Sequence, residues 1–498
     1  MELLRTPDSA SGPLMVTPTV TSVPNLDNSR DGLIAAYFIY FHPSHPFLLP
    51  YEQTLALFQR SSLRHLELAV QYVASFYVPG ASRAEHRDTL RRHVLQDNSI
   101  KDGTFVQALL LLSIGLHIEN DDEDSASVLS SAVSLALDLG MNHRDFAHVH
   151  GEGNSLFEEC WRRSWWELFI IDGMMGGVNQ KYTLQLMMVE TNVSLPCEEA
   201  DYAPGVSWPS LSSKNNIPNS LVQLIPFVQR SLNDYDDALF ITDETTSFSS
   251  ATYRIDAVRI LHKVFQTMRA DPSDVQFYER ADTHLTSWQL HLPAEKRKPV
   301  GRDGKVDEVL FGAHMIANAC CIMLHRPRSD LNYEDVKEVT TCVKGGQSNN
   351  ANESYKDIHT AKAMNAAKEV SKLARLPCPL VKHTPFFNCA VTMAAVVYLS
   401  YWSFIATEGG DTVIKEHIRL NIGVLKALSD IYPIATTVLG QVKGVAQELF
   451  AARKAMNNDY WAHVTREEIL QGMIEDSSSS GSQPDIYGNY AISFNGDA

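Results

Sequence analysis

The chain has 498 residues, a net charge of −17, and hydrophobic and charged shares of 44% and 20%. The length allows more than one compact core, since single cores rarely grow beyond ~250–300 residues. The acidic balance argues against duplex-DNA binding by this chain alone, because DNA affinity comes largely from Lys and Arg contacts to phosphate. The seven cysteines are scattered and none form a C-x-x-C pair, which favours a reducing compartment over a disulfide framework.

Helical patterns dominate the chain between its two ends. Residues 1–30 are rich in Ser, Thr, Pro and Asp and are predicted to be disordered. An ordered all-helical domain is predicted over 31–460, with a mobile loop at about 343–357 and a disordered acidic tail at 475–498. Apolar spacing predicts helices near 31–41, 52–77, 104–118, 220–238, 252–269, 275–291, 305–325, 358–375, 385–406, 416–430 and 435–456. The fold class is therefore predicted as all-α, a large multi-helix domain.

Two further helices carry local start or stop residues. The apolar positions from Val128 to Leu139 recur at helical spacing, and Gly140 is predicted to end that helix. Ser155 and Glu158 form a capping-box pattern ahead of an aromatic helix.

One segment is apolar enough to raise the question of a membrane. The stretch from Thr384 to Thr407 has no charged residue and is long enough to cross a bilayer as a helix. It also contains Asn388, Ser400 and several alanines, so we expect a buried core helix and no membrane association.

Seven segments occur in a characteristic order. They are Leu33–Pro50 (LIAAYFIYFHPSHPFLLP), Val106–Leu112, Ala132–Asp145 (AVSLALDLGMNHRD), Arg162–Asp172, Leu195–Cys197, Leu285–Pro293 and Leu324–Pro327 (LHRP). In this order they resemble the regulatory domain, or middle homology region, of fungal zinc-cluster transcription factors. The resemblance covers roughly residues 31–456. It departs from the family pattern at Met141-Asn142 and at Asn179–Tyr182, which puts the turn after Asp172 in doubt.

The resemblance implies a nuclear transcription regulator that controls metabolic or secondary-metabolite genes. It implies protein partners or a homodimer, and a small-molecule effector. Family members read DNA through a preceding module in which six cysteines hold zinc, whereas the first cysteine here is Cys160. We therefore expect no cofactor in this chain, with zinc only if such a module lies upstream. DNA contact is expected to be indirect or to come through that module. A cofactor protein without DNA binding of its own is the alternative with the same fold.

The residues of the family motifs are interpreted as structural, and no catalytic, cofactor-binding or metal residue is assigned. They are His143, Arg144, Asp145, Arg162, Arg163, Trp165, Asp172, His325, Arg326 and Pro327. The first three follow a predicted helix end, where cations interact favourably with the last carbonyls. The alternative is a metal site formed by His143, His148, His150 and Glu152.

Asp172 shares a helical stripe with Trp161, Trp165 and Leu168. A carboxylate on an apolar face should be buried and paired, because an unpaired buried charge is costly. We expect its partner to be an arginine, and the candidates are Arg144, Arg162 and Arg163.

An all-α enzyme of terpene-synthase type is the alternative to a transcription regulator. The acidic run from Asn120 to Asp124 suggests magnesium binding, but it precedes a predicted helix and suits a capping loop better. No second metal motif of that class and no nucleophile elbow is present, so no enzymatic activity is expected. Seven aromatic residues are candidates for either the core or an effector pocket: Trp165, Trp166, Phe169, Phe386, Phe387, Tyr398 and Trp402.

Overall fold

A computed structural model describes residues 26–60, 63–96, 101–178, 184–202, 228–240, 247–270, 275–331, 353–405 and 411–463. Over these ranges the chain forms helices, no β-sheet, and one isolated bridge between Val300 and Val306. The all-α prediction is confirmed. The helices are α1 (Arg30–Ala36), α2 (Tyr51–Arg60), α3 (Arg64–Ala74), α4 (Arg83–Gln96), α5 (Gly103–Ile118), α6 (Asp122–Asp138), α7 (Arg144–His150), α8 (Ser155–Val178), α9 (Glu199–Tyr202), α10 (Leu232–Phe240), α11 (Ser250–Arg269), α12 (Val275–His291), α13 (Glu308–His325), α14 (Glu353–Leu373), α15 (Phe387–Phe404), α16 (Asp411–Ser429) and α17 (Pro433–His463).

Short polar side chains begin several of the long helices. The Asp102 carboxylate accepts the N–H groups of Thr104 and Phe105 at 2.9 and 3.0 Å and so starts α5. Ser249 does the same for α11, and Asp307 for α13. Each cap satisfies amide groups that have no partner inside the helix, which fixes where the helix begins.

The predicted stop at Gly140 is confirmed. Gly140 has φ of 73°, in the left-handed region that glycine enters without a steric penalty. The N–H of Met141 donates to the Ala136 carbonyl at 2.9 Å, and that of Gly140 to the Leu137 carbonyl at 3.0 Å. This pair of bonds is the Schellman arrangement that closes a helix end.

The start of α8 differs from the predicted capping box. Ser155 is the first helical residue, and the cap is Asn154, whose side-chain oxygen accepts the N–H of Leu156 at 2.9 Å. Glu158 instead pairs with Arg162 at 3.5 Å and with His148 at 3.3 Å. The sequence pattern is one residue out of register with the cap that forms.

Other boundaries show where local patterns are informative. The helix predicted at 275–291 is α12 to the residue, whereas 52–77 is two helices, α2 and α3. Helix α14 begins at Glu353, inside the predicted loop, and residues 343–352 lie outside the described residues. Of the predicted helix at 220–238, residues 228–238 are described, and α10 begins at Leu232. Residues 1–25 and the predicted tail at 475–498 are likewise outside the description.

The helices pack around one extended hydrophobic core. Helix α5 lies against α3 and α6, α11 lies against α8, α12 and α13, and α14 to α17 pack in succession. Trp165 on α8 is fully buried, so its interpretation as a core residue is confirmed. The other six aromatic candidates are also buried.

Two long apolar segments of the chain form helices that are buried in the core. One stretch, Glu308–Arg328, is long and apolar enough to cross a bilayer, and 83% of its apolar window is buried inside the fold. The uncharged segment from Thr384 to Thr407 contains α15, whose residues from Ala390 to Leu399 are all buried. Both are core helices of the described fold.

Candidate effector cleft and buried charge networks

Two of the family segments, Leu33–Pro50 and Val106–Leu112, contribute residues to one cleft of about 570 Å³. Its other walls come from α2, the start of α3, the N-terminal end of α5, helix α7 and the first half of α8. Apolar side chains form most of the surface: Leu48, Leu49, Leu57, Leu66, Phe157 and Trp161. A volume between ~300 and 1,000 Å³ with mostly apolar walls is typical of small-molecule sites.

A small number of polar groups converge on the cleft. Gln107 donates to the Ser164 hydroxyl at 2.7 Å, and the Trp161 indole N–H donates to the His150 carbonyl at 3.0 Å. Asp102 and Glu152 also line the cleft and give it acidic character. Gly103 lets the Trp161 ring lie against α5, because a Cβ there would come within 2.7 Å of the ring. The cleft therefore suits a largely apolar molecule that carries no negative charge.

The two arginines of the α8 motif share one buried carboxylate. Arg162 and Arg163 donate to opposite oxygens of Glu159 at 3.0 and 2.9 Å, and the Glu159 side chain has no exposed surface. Arg163 also reaches the Pro46 carbonyl at 3.2 Å and the Cys197 carbonyl at 3.0 Å. These bonds join α8 to the loop before α2, which lines the cleft, and to the segment before α9.

A second network lies one helical turn further along α8. Glu167 is 2% exposed and accepts from His45 at 2.7 Å and from Arg254 on α11. Arg254 also donates to the Ser44 carbonyl at 2.6 Å, and the other His45 nitrogen lies 3.0 Å from the Thr384 hydroxyl. Burial lowers the pKa of His45. Local sequence patterns do not reveal this network, because its members are up to 339 residues apart.

The His143-Arg144-Asp145 motif does not cap the preceding helix. His143 precedes α7, and Arg144 and Asp145 lie in its first turn. Arg144 is exposed there, and its backbone N–H donates to the Asn192 side chain at 2.7 Å. The helix-end interaction predicted for these cations is wrong, because Gly140 had already closed α6. The motif instead fixes the 190–192 segment against α7.

The alternative histidine metal site is not assembled. His148 is 81% exposed and pairs with Glu158, while the ring of His150 packs against Phe146 at a tilt of 35°. Among the described residues, the group whose geometry could hold a metal lies elsewhere, at Glu308, Cys378 and His383.

The arginine pairing predicted for Asp172 is also wrong. Asp172 is buried, with 4% exposure, but its carboxylate accepts the backbone N–H groups of Gln185 and Leu186, the latter at 2.9 Å. Burial raises its pKa to about 6, and the two backbone bonds oppose that shift. A short turn beginning at Leu186 thus takes the place of the expected cation.

The Leu-His-Arg-Pro motif ends α13 in a polar cluster. His325 is fully buried and lies 3.2 Å from Asp282 and 3.0 Å from His359. Lys362 also pairs with Asp282, at 2.8 Å. Arg326 is 4% exposed, and burial lowers its pKa to about 10. Pro327 lies in the 3-10 turn Arg326–Arg328, which directly follows α13.

A smaller cavity lies between α8, α11, α13 and α15. It encloses about 90 Å³ and is rich in methionine, with Met174, Met315, Met323 and Met393 in its walls. Phe386 is the member of the seven aromatic candidates that lines it. A cavity of ~150 Å³ holds one benzene ring, so the larger cleft is the better candidate for an effector.

The acidic run from Asn120 to Asp124 forms the cap and the first turn of α6, where the sequence predicts a capping loop ahead of the helix. The Asp121 side chain accepts the N–H of Asp124 at 3.4 Å and so starts the helix. Asp122 pairs with His117 at 2.9 Å, and Asp124 pairs with Arg91. Three of the four carboxylates in this run therefore have a role in the fold, which weakens the main sequence argument for a terpene-synthase-type enzyme.

The described residues form an all-helical domain. Residues 34–289, more than half of the chain, match the family described as the fungal specific transcription factor domain, and the chain belongs to that family. The chain is also similar to the C6 finger domain transcription factor iacK of Pestalotiopsis fici, with 34% identity over 454 residues. That alignment covers 89% of this chain and 64% of the relative, so the chain spans less than two thirds of the relative's length. No solved structure matches.

Proposed function

We propose that this chain is the regulatory part of a nuclear transcription regulator that controls metabolic or secondary-metabolite genes. Membership of the fungal transcription factor domain family carries this proposal. The net charge of −17 supports a role in which DNA is reached through another module or protein. No catalytic role is proposed.

The cleft of about 570 Å³ is proposed as the effector site. An occupant there would touch the loop before α2, α5, α7 and α8 together. The Arg163 and Glu167 networks attach the same loop to α8, α11 and the Thr384 region. A bound effector would therefore shift the preferred position of the loop before α2. This shift would change the surface that binds a protein partner or a second copy of the chain.

Gene deletion followed by complementation tests the proposal. The deletion is expected to change the transcripts of a set of metabolic genes, and the wild-type chain to restore them. Leu57→Trp fills the cleft from a half-buried position on α2. It is expected to abolish the transcriptional response to the inducing condition at an unchanged protein level.

Leu290→Trp is the matched control. Leu290 is 70% exposed on α12, so the substitution adds the same bulk outside the cleft. It is expected to restore the response. An unchanged transcript profile in the deletion strain would overturn the regulatory role. A full response with Leu57→Trp would overturn the assignment of the cleft while leaving the regulatory role intact.

A further inference from the structure

A thiol, an imidazole and a carboxylate meet at the start of α13. Cys378 Sγ lies 3.2 Å from Glu308 Oε1, and His383 Nδ1 lies 2.8 Å from Glu308 Oε2. The donor atoms of all three residues lie within 4.8 Å of one another. Glu308 comes from the first turn of α13, whereas Cys378 and His383 come from the connection between α14 and α15.

The surroundings hold two of the three donors in place. Glu308 and His383 have side chains that are 4% and 1% exposed. The ring of Phe311 stacks on His383 with centroids 3.9 Å apart and planes 5° apart, so the imidazole cannot turn freely. Cys378 is partly exposed and leaves a path from solvent. Such an arrangement is a preorganised set of donors with one accessible side.

We propose that Glu308, Cys378 and His383 bind a divalent zinc-like cation. Cysteine sulfur, histidine nitrogen and carboxylate oxygen are the protein ligands of Zn²⁺, at about 2.0–2.3 Å. Tetrahedral ligands at those bond lengths lie roughly 3.3–3.8 Å apart, so the present donor distances of 3.2 and 2.8 Å require only a small spreading. Three protein ligands leave a fourth position for water.

Metal binding would change the protonation of Cys378. A coordinating thiol is deprotonated, so binding of the cation releases the thiol proton to solvent. Lys382 lies on the same connection, and its positive charge opposes the binding of a cation.

The expected consequence is a metal cross-link. It would tie the first turn of α13 to the connection between α14 and α15, two segments 70 residues apart in sequence at Glu308 and Cys378. This site is separate from the effector cleft, so it stands or falls independently of the proposed function.

Cobalt titration of the full-length chain, after dialysis against a chelator, tests the proposal. Co²⁺ alone is expected to produce a thiolate-to-cobalt charge-transfer band that saturates at one equivalent and disappears when Zn²⁺ is added. Zn²⁺ is expected to raise the thermal midpoint. Cys378→Ser is expected to lose the band, while Cys389→Ser, a matched half-buried cysteine on α15, is expected to retain it.

The absence of a saturable band in the wild-type chain would overturn the proposal, and so would a band retained by Cys378→Ser. If Cys378→Ser fails to fold, X-ray absorption of the zinc-loaded wild-type chain decides the matter. One sulfur ligand with nitrogen and oxygen neighbours supports the site, and a sulfur-free shell contradicts it.

Discussion

Replacement of Asp172 by asparagine is expected to stabilise the protein at neutral pH. No cation among the described residues pairs with the buried wild-type carboxylate, and burial raises its pKa from 3.8 to about 6. Each pKa unit corresponds to about 1.4 kcal/mol, so the ionised form carries a cost of about 3 kcal/mol at neutral pH. Asparagine has the same shape and keeps an oxygen for the Leu186 N–H. A weakened hydrogen bond to the backbone should cost about 1 kcal/mol of stability, so the free energy of unfolding is expected to rise by about 1–2 kcal/mol in total.

The pH dependence separates this effect from ordinary packing. Because the folded pKa of Asp172 is raised, the native state binds the proton more strongly, and its stabilising contribution is lost as pH rises through about 6. The difference in unfolding free energy between Asp172→Asn and wild type should therefore grow by about 1.4 kcal/mol from about pH 5 to about pH 7.5. Urea denaturation at both pH values measures it, with the exposed Asp138→Asn as the control. A difference that does not change with pH would refute the reasoning.

Three other predictions concern the core, acid stability and DNA. Trp165→Ala should lower the unfolding free energy by about 3–5 kcal/mol, since Trp165 is fully buried; an unchanged thermal midpoint would show that it is not a core residue. Burial lowers the pKa of His42 from 6.5 to about 4, so the unfolded state takes up a proton at a higher pH than the native state does. The free energy of unfolding should therefore fall by up to about 3 kcal/mol as the pH falls from 6.5 to about 4. His42→Gln should flatten that part of the stability profile, and an equally steep profile would contradict the assignment. The purified chain should show no sequence-selective binding to duplex DNA, and nanomolar selective binding in a mobility-shift assay without a partner would oppose that expectation.

Periodicity was enough to predict the fold class and most helices. Helix α12 was predicted to the residue because its apolar positions recur along one face, and the stop at Gly140 because glycine is the natural residue for the left-handed conformation found there. Helix α4 was missed because its sequence, RAEHRDTLRRHVLQ, is mostly polar and lacks an apolar stripe.

The partners of buried charged groups could not be predicted from local sequence. The stripe shared by Asp172 and Trp165 correctly indicated burial, but the carboxylate is satisfied by the amides of Gln185 and Leu186, on a segment that carries no cation. Glu167 likewise joins His45 and Arg254, which lie 122 and 87 residues away from it. Such contacts depend on how the helices pack, and spacing within one helix does not reveal them.

A tethered reporter assay tests the central claim most directly. The chain is fused to an unrelated DNA-binding domain in a fungal host, and transcription from a promoter that carries the matching site is measured with and without the inducing condition. The account predicts that the fusion changes reporter transcription in response to that condition, and that Leu57→Trp abolishes the response while Leu290→Trp does not. Reporter transcription equal to that of the DNA-binding domain alone, from a fusion that accumulates in folded form in the nucleus, would contradict a regulatory role for this chain.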